Sequence, residues 1–327
     1  MAITHLAIAA DFSLAEKLLD TLTESGLDIA AISAVELTPF GEEQNLRFGA
    51  KAVPQFALDE ADWSQFSHVL FAGSMVHAEV LAKAVQAGCI LLDLYGITAL
   101  IDGVPVVVPS VNNEMLINLR ERNIVALANP QISQIALALK PLLEMPLSHI
   151  FITSLLPAAY FGDEKVRELA GQTAQLLNGI PLDDDKERLA FDAVPANVQG
   201  DEKHLPFSRV FTLQLAKVLP NLTASVLFHS VQIPVFYGVS QMVSVQSDYA
   251  LDTAMLAEHW RQQSWTVFNE EQVMTAVKNG EQEDYHLQIS QLLIKDENSL
   301  QFWSVADEQR FSLAFLAVEL LREVLAY

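Results

Sequence analysis

His5-Leu6-Ala7-Ile8-Ala9-Ala10-Asp11-Phe12-Ser13-Leu14-Ala15-Glu16-Lys17-Leu18-Leu19-Asp20-Thr21-Leu22 is the stretch on which the fold turns. Residues 5–9 form a short, almost wholly apolar run, the pattern of a strand buried on both faces. From residue 14 to 22 the period changes. Leu14, Leu18, Leu19 and Leu22 recur every three or four positions and share one helical face. Between the two, Ser13-Leu14-Ala15-Glu16 has the Ser-x-x-Glu form of a capping box, in which Ser13 and Glu16 satisfy the free backbone donors of the helix start. The alternation continues downstream, with strands at 28–34, 68–73, 89–93 and 104–108 and a helix at 75–87. Strands separated by helices predict a largely parallel sheet covered on both faces.

After Ala128-Asn129-Pro130 the texture changes. A helix runs to about residue 143 and is closed by Pro146. Long strands follow at 150–155, 225–232 and 241–246, then a pair at 285–294 and 299–306 that meets across Lys295-Asp296-Glu297-Asn298. This predicts a second, α+β domain with a mixed or antiparallel sheet. Residues 307–326 form a last helix whose Phe311, Phe315, Leu316, Val318, Leu320, Leu321 and Val324 occupy most of its sides, so it is expected to be buried against the first domain. The expected division is 1–129 with 307–327, and 130–306.

Composition narrows the classes. The 327 residues carry 41 acids against 19 Lys and Arg, a net charge of −22, and 51% are hydrophobic. Phosphate backbones and anionic lipid surfaces are repelled by such a charge, which argues against nucleic-acid and membrane partners. The longest stretch free of Asp, Glu, Lys and Arg, 218–247, contains Pro220, Pro234 and Gly238 and partly alternates, so it reads as strands rather than a membrane span. The start of the chain lacks the basic and apolar regions of a secretion signal, and a cytoplasmic protein is expected. Cys89, the only cysteine, lies in an apolar run and reads as a buried, inert thiol.

Several segments resemble the aspartate-semialdehyde dehydrogenase family. They are Val104-Pro105-Val106-Val107-Val108-Pro109 with Val111-Asn112, Ala128-Asn129-Pro130, Leu139-Lys140-Pro141-Leu142, residues 225–238 with Pro234-Val235, and Phe302-Trp303-Ser304-Val305-Ala306-Asp307 with Arg310. Residues 171–181, Gly-Gln-Thr-Ala-Gln-Leu-Leu-Asn-Gly-Ile-Pro, are similar to a divergent branch, the Usg-like proteins. The resemblance implies a Rossmann-like NADP-binding domain, a second domain for catalysis and dimerisation, and a homodimer. It also implies reduction of β-aspartyl phosphate through a cysteine thioester.

Position by position, the residues that the resemblance calls for are replaced. The phosphate loop aligns with Ala9, Ala10, Asp11, Phe12, Ser13, Leu14 and Ala15, so its three glycines have become Ala9, Phe12 and Ala15. Glu36 stands where the family often has an Arg for the 2′-phosphate, and reads as a solvated surface acid. The nucleophile aligns with Ile132, the general base with Val239, the orienting amide with Leu156, and the two carboxylate-binding arginines with Gln232 and Ala99. Ser133, one residue from the nucleophile position, reads as a structural hydroxyl in the first turn of its helix. No cofactor is therefore expected, with NADP or NAD entering only if the degenerate loop still binds.

Other chemistries find little support. The histidines at 5, 68, 77, 149, 204, 229, 259 and 286 are scattered without metal-ligand spacing, and the acidic run Leu182-Asp183-Asp184-Asp185-Lys186 reads as a solvated loop, so no metal site is expected. Gly238-Val239-Ser240-Gln241-Met242 only half matches a nucleophile elbow. Arg310 is expected in an internal ion pair, and Trp260, Trp265 and Trp303 in a core or dimer interface. The favoured reading is a pseudoenzyme: a non-catalytic, homodimeric binding or scaffold protein. Its alternatives are a small-molecule sensor using the former interdomain cleft, and an NAD(P)-dependent oxidoreductase with relocated residues around Ser133 or Asp93.

Overall fold

The computed structural model describes residues 5–41, 43–183, 187–196, 206–283 and 285–327. Asp184, Asp185, Lys186 and His204 lie outside the described residues. The chain divides into two compact units, Met1–Asn129 with Lys217–Leu219 and Ser312–Tyr327, and Pro130–Ala216 with Pro220–Phe311.

The first unit contains, in chain order, β1 (Leu6–Ala10), α1 (Phe12–Ser25), β2 (Ile32–Glu36), β3 (Arg47–Phe48), β4 (Lys51–Ala52), β5 (Gln55–Ala57), β6 (His68–Phe71), α2 (Ala78–Gln86), β7 (Ile90–Asp93), β8 (Val106–Val107), α3 (Leu119–Arg122) and β9 (Ile124–Leu127). Seven strands form one sheet in the order β5-β2-β1-β6-β7-β9-β8, and every pair in it is parallel. The chain winds outward from β1 through β2 to β5, then returns to build β6 and β7 on the other side. The order therefore reverses between β1 and β6, the crevice at which open α/β sheets bind ligands. All five residues of β1 are buried, as a central parallel strand requires. The strand expected at 28–34 begins only at Ile32. Helix α1 runs on to Ser25 and ends at Gly26 in the left-handed region (φ 67°), so the preceding residues are needed to return to the sheet. Cys89 is fully buried, donates to the carbonyls of Trp63 and Phe66, and burial pushes its thiol up to about 11.

The second unit contains α4 (Pro130–Leu139), β10 (Leu147–Leu156), α5 (Asp163–Leu177), β11 (Val194–Pro195), α6 (Phe207–Val218, whose last two residues are counted with the first unit), β12 (Ser225–Gln232), β13 (Val239–Ser247), α7 (Thr253–Gln262), β14 (Thr266–Asn269), α8 (Ala276–Gly280), β15 (Leu287–Asp296) and β16 (Ser299–Ala306). Its seven-stranded sheet has the order β11-β12-β10-β13-β16-β15-β14. Parallel pairs β10/β12 and β14/β15 sit among antiparallel ones, so the sheet is mixed. The β15/β16 hairpin turns at Glu297-Asn298, with Asp296 opposite Ser299, inside the expected turn. Trp260 is fully buried, donates to the Ala138 carbonyl at 2.9 Å and packs edge-on to Phe302, so it belongs to the core of this unit.

Residues 308–315 are wound as π-helical turns before α9 (Leu316–Val324). Within the first unit α9 packs on α1, β7 and β9, with Leu316, Leu320, Leu321 and Val324 buried. Among the described residues no helix is long and apolar enough to cross a membrane.

Candidate functional site

In the first unit the chain leaves β1 at Ala10 in an extended conformation. Asp11 (φ −69°, ψ 164°) becomes the N-cap of α1, its Oδ1 accepting the Leu14 amide at 2.9 Å. The expected Ser13/Glu16 capping box is thereby corrected. Aspartate caps as well as serine does, and Asp11 is the residue that the strand end leaves extended. Ser13 lies inside the first turn, where its Oγ accepts from Lys17 Nζ at 2.6 Å. The start of α1 thus faces a carboxylate of its own chain. Ala9 and Ala15 are fully buried. The ring of Phe12 stands edge-on to Phe40 with centroids 5.4 Å apart. Glu36 accepts the Phe40 amide at 3.0 Å and so closes the turn after β2.

Ala99 is fully buried in the loop after β7. Its neighbour Thr98 donates both its amide and its hydroxyl to Asp93 Oδ2, each at 2.7 Å. Burial raises the Asp93 carboxyl above its ordinary value against these bonds. Asp93 therefore acts as the anchor of this loop.

In the second unit, three of the positions singled out in the sequence come to one end of the sheet. Leu156 and Gln232 end β10 and β12 and stand opposite each other, and Val239 begins β13. Leu156, Val239 and Ala196 form a buried apolar cluster against which Tyr160, Phe161 and Phe207 pack. Ile132 is buried in the first turn of α4, beside the fully buried Ser133. Its neighbour Gln131 ties that turn to the cluster, donating from Nε2 to Tyr160 Oη at 2.7 Å. Gln241 Nε2 bridges the Gln131 carbonyl (2.9 Å) and Ser154 Oγ (3.0 Å). Ala99, Glu36 and the Ala9–Ala15 loop belong to the first unit.

The connection between β12 and β13, residues 233–238, is held by backbone bonds from Ala158 to Val235 (2.8 Å) and from Ala159 to Phe236 (3.0 Å). Its last residue, Gly238, donates its amide to Glu308 Oε2 at 2.8 Å. Glu308 is only 1% exposed. Burial first, and the charge of Asp307 second, push its carboxyl up to about 8. Sequence reasoning missed Glu308 and Gln241. Nothing local marks either, because the burial of Glu308 depends on Gly238, seventy positions earlier.

Arg310 corrects a second expectation. Instead of an acid, its guanidinium meets Tyr285, donating to Oη at 3.0 Å and lying 5.0 Å over the ring. Asp307, the adjacent acid, is engaged as a cap, its Oδ1 accepting the amides of Gln309 and Arg310. Among the described residues no group of three or more His, Cys, Asp or Glu could hold a metal ion.

A doubly wound parallel sheet followed by a mixed-sheet unit, with its polar and apolar clusters at the strand ends, defines a two-domain protein of dehydrogenase architecture. Residues 139–311 match the semialdehyde dehydrogenase dimerisation domain. A USG-1 protein homolog of Haemophilus influenzae is 45% identical over 99% of this chain and 98% of its own. Aspartate-semialdehyde dehydrogenase 2 of Vibrio cholerae is 29% identical over 85% of each chain. The crystal structure of aspartate semialdehyde dehydrogenase II from Vibrio cholerae superposes with a TM-score of 0.91 at 25% identity, covering 100% of this chain and 99% of that one. The chain belongs to the semialdehyde dehydrogenase family.

Proposed function

We propose that this chain is a non-catalytic member of its family, a homodimeric binding or scaffold protein of the cytoplasm. The observation that carries the reading is the buried cluster of Leu156 and Val239, which stand where the family resemblance calls for an orienting amide and a general base. With Ile132 at the nucleophile position, the group offers no thiol and no imidazole. An isoleucine side chain cannot attack a carbonyl, and valine cannot take up a proton.

The residues at the crevice between β1 and β6 do not fit a nicotinamide dinucleotide. A pyrophosphate needs free backbone donors and close approach to them. Here Asp11 already accepts one of those donors and adds negative charge, and Phe12 occupies the position of a loop glycine. NADP is thus expected not to bind, although a solved relative from Candida albicans, alike in fold at a TM-score of 0.73, contains it.

Calorimetric titration with NADP and NAD, beside an active relative, tests this directly. No heat from either is expected. Saturable binding, or oxidation of aspartate semialdehyde that depends on phosphate and NADP, overturns the reading.

Support for a homodimer comes from the outer face of the second sheet. Phe151, Leu227 and Met242 are 39%, 52% and 57% exposed there, on the neighbouring strands β10, β12 and β13. The alternate positions of these strands that share this face carry no Asp, Glu, Lys or Arg, in a chain where 18% of residues are charged. Exposed apolar faces free of charge mark interfaces, and the matched family model bears the name of a dimerisation domain. Light scattering at micromolar concentration is expected to give twice the chain mass, and Phe151→Glu to give a monomer. A monomeric wild type overturns the dimer.

A further inference from the structure

Loop 233–238 is secured at four places, and one of them carries a proton. Three are backbone bonds, from Ile233 to the Leu156 carbonyl, from Ala158 to the Val235 carbonyl and from Ala159 to the Phe236 carbonyl. The fourth is the bond from the Gly238 amide to Glu308 Oε2. Gly238 has little room to adjust. It sits at φ +94°, and a Cβ placed on it would come within 2.8 Å of the Ala276 Cβ of α8. Glu308, opposite it, is shut away from water, and its second oxygen, Oε1, is buried without a hydrogen-bond partner. The backbone amides of Glu308, Gly238 and Val239 favour the ionised carboxylate, but burial and the charge of Asp307 outweigh them, so the carboxyl is more stable neutral than ionised.

The surrounding charges reinforce this. Asp307 precedes Glu308 on the same segment and repels a second negative charge. Around the phenol of Tyr237, on the loop itself, Asp163, Glu308 and Asp307 contribute negative charge and Arg310 the single positive one. The guanidinium of Arg310 is committed to Tyr285. Phe236 and Tyr237 at the tip of the loop are 42% and 46% exposed, so a loosened loop has a path to solvent.

We propose that Glu308 is a proton-controlled latch on loop 233–238: with the carboxyl protonated the loop is held through Gly238, and ionisation of the carboxyl releases it. Once released, Glu308 is a solvated acid that ionises at the ordinary value of 4.5, whereas in the latched state it holds its proton up to about 8. The opening equilibrium therefore rises as pH climbs between those limits, by up to about tenfold per pH unit, and levels off above about 8.

Hydrogen exchange read by mass spectrometry tests this on the whole protein. Exchange of peptides covering 232–239 is followed from pH 5.5 to 8, with intrinsic exchange rates divided out. Protection is expected to fall more than tenfold in the wild type, to stay level in Glu308→Gln, and to stay level in β10 of both proteins. Wild-type protection constant within twofold overturns the latch. So does a fall of equal size in Glu308→Gln, or a fall that extends to β10, which would mean global loosening. Should Glu308→Gln fail to fold, the 13C titration of the Glu308 carboxyl in the wild type decides the matter. A midpoint near 8 supports the latch, and one between about 4 and 5 overturns it.

Discussion

Returning Leu156 to a glutamine, the amide that the family resemblance calls for, separates an emptied catalytic site from an ordinary core. Leu156 is fully buried in the cluster with Val239 and Ala196, under Tyr160, Phe161 and Phe207. Replacing it forfeits the transfer energy of a buried leucine, about 1.5–3 kcal/mol. It also places an amide where the surrounding side chains are apolar, which costs about 1–3 kcal/mol more when the amide finds no partner. Together these give a loss of roughly 3–5 kcal/mol, against at most about 1.5 kcal/mol for the volume-conserving Leu156→Met.

The assay is equilibrium unfolding in urea, followed through tryptophan fluorescence, to which Trp260, Trp265 and Trp303 contribute from the second unit and Trp63 from the first; a Trp63→Phe background isolates the second unit. With a denaturant slope of about 1–3 kcal/mol/M, the midpoint for Leu156→Gln is expected to drop by about 1–2 M or more. Adding Val239→His should cost less than the sum of the two single changes, because both residues face the same cluster. A loss below about 1 kcal/mol for Leu156→Gln would refute the reasoning. It would mean that the position still accepts a wet, polar side chain, as a working active site does.

Removing the cap of α1 with Asp11→Ala should cost about 1 kcal/mol, and Asp11→Asn only a few tenths, which differential scanning calorimetry resolves as a lower melting temperature for the first change alone. His68, buried and lowered to about 4 mainly by that burial, gives a pH dependence whose sign is fixed. The unfolded chain takes up a proton near 6.5 that the folded chain refuses until about 4. Its stabilisation is thus complete above 6.5 and lost as pH falls through that window, by at most about 3 kcal/mol; urea midpoints at pH 7 and pH 5 for wild type and His68→Gln check it. Trp260→Ala should cost about 3–5 kcal/mol, since it deletes a fully buried ring and strands the Ala138 carbonyl that the indole holds; a loss under about 1 kcal/mol in the unfolding free energy contradicts this placement.

The parallel sheet was legible because its strands are buried on both faces and so appear as plain apolar runs between helical patterns. The strands at 225–232 and 299–306 were read to the residue, since alternation and turn signals coincide there. Other elements left weaker traces. Strand β9, Ile-Val-Ala-Leu, is only four residues long, too short a run to show a period, although Asn123 and Asn129-Pro130 flank it. Helix α5 leaves a weak trace because its apolar stripe is thin: Val166, Leu169 and Leu176 pack in one cluster, and of its fifteen residues only Leu169 and Gln172 are buried. At the start of α1 two capping arrangements compete within three residues, and the extension of the strand decides between them. Glu308 could not be found at all from its neighbourhood, because an acid after a strand reads as a solvated helix start until a distant amide turns it inward.

Likeness to a family and possession of its chemistry rest here on different residues. Gly238 fits the family pattern, yet its packing alone accounts for a glycine: φ is +94° and a Cβ would strike Ala276. Trp303, in another matching segment, donates its indole N–H to the Met274 carbonyl at 2.7 Å. Asp307 caps the turns that follow it, and Asn112 closes its own loop, accepting from the Val108 amide and donating to the Val106 carbonyl. Each would be retained for the fold in the absence of any reaction. Ile132, Leu156 and Val239, by contrast, are buried apolar side chains at the positions that the family resemblance aligns with a thiol, an amide and an imidazole. A working site keeps such polar groups half-satisfied at a cost in stability, and apolar replacement relieves that cost. On the non-catalytic reading proposed above, selection for the fold and its surfaces alone accounts for this distribution, with motif fragments intact wherever they pack and the aligned positions apolar.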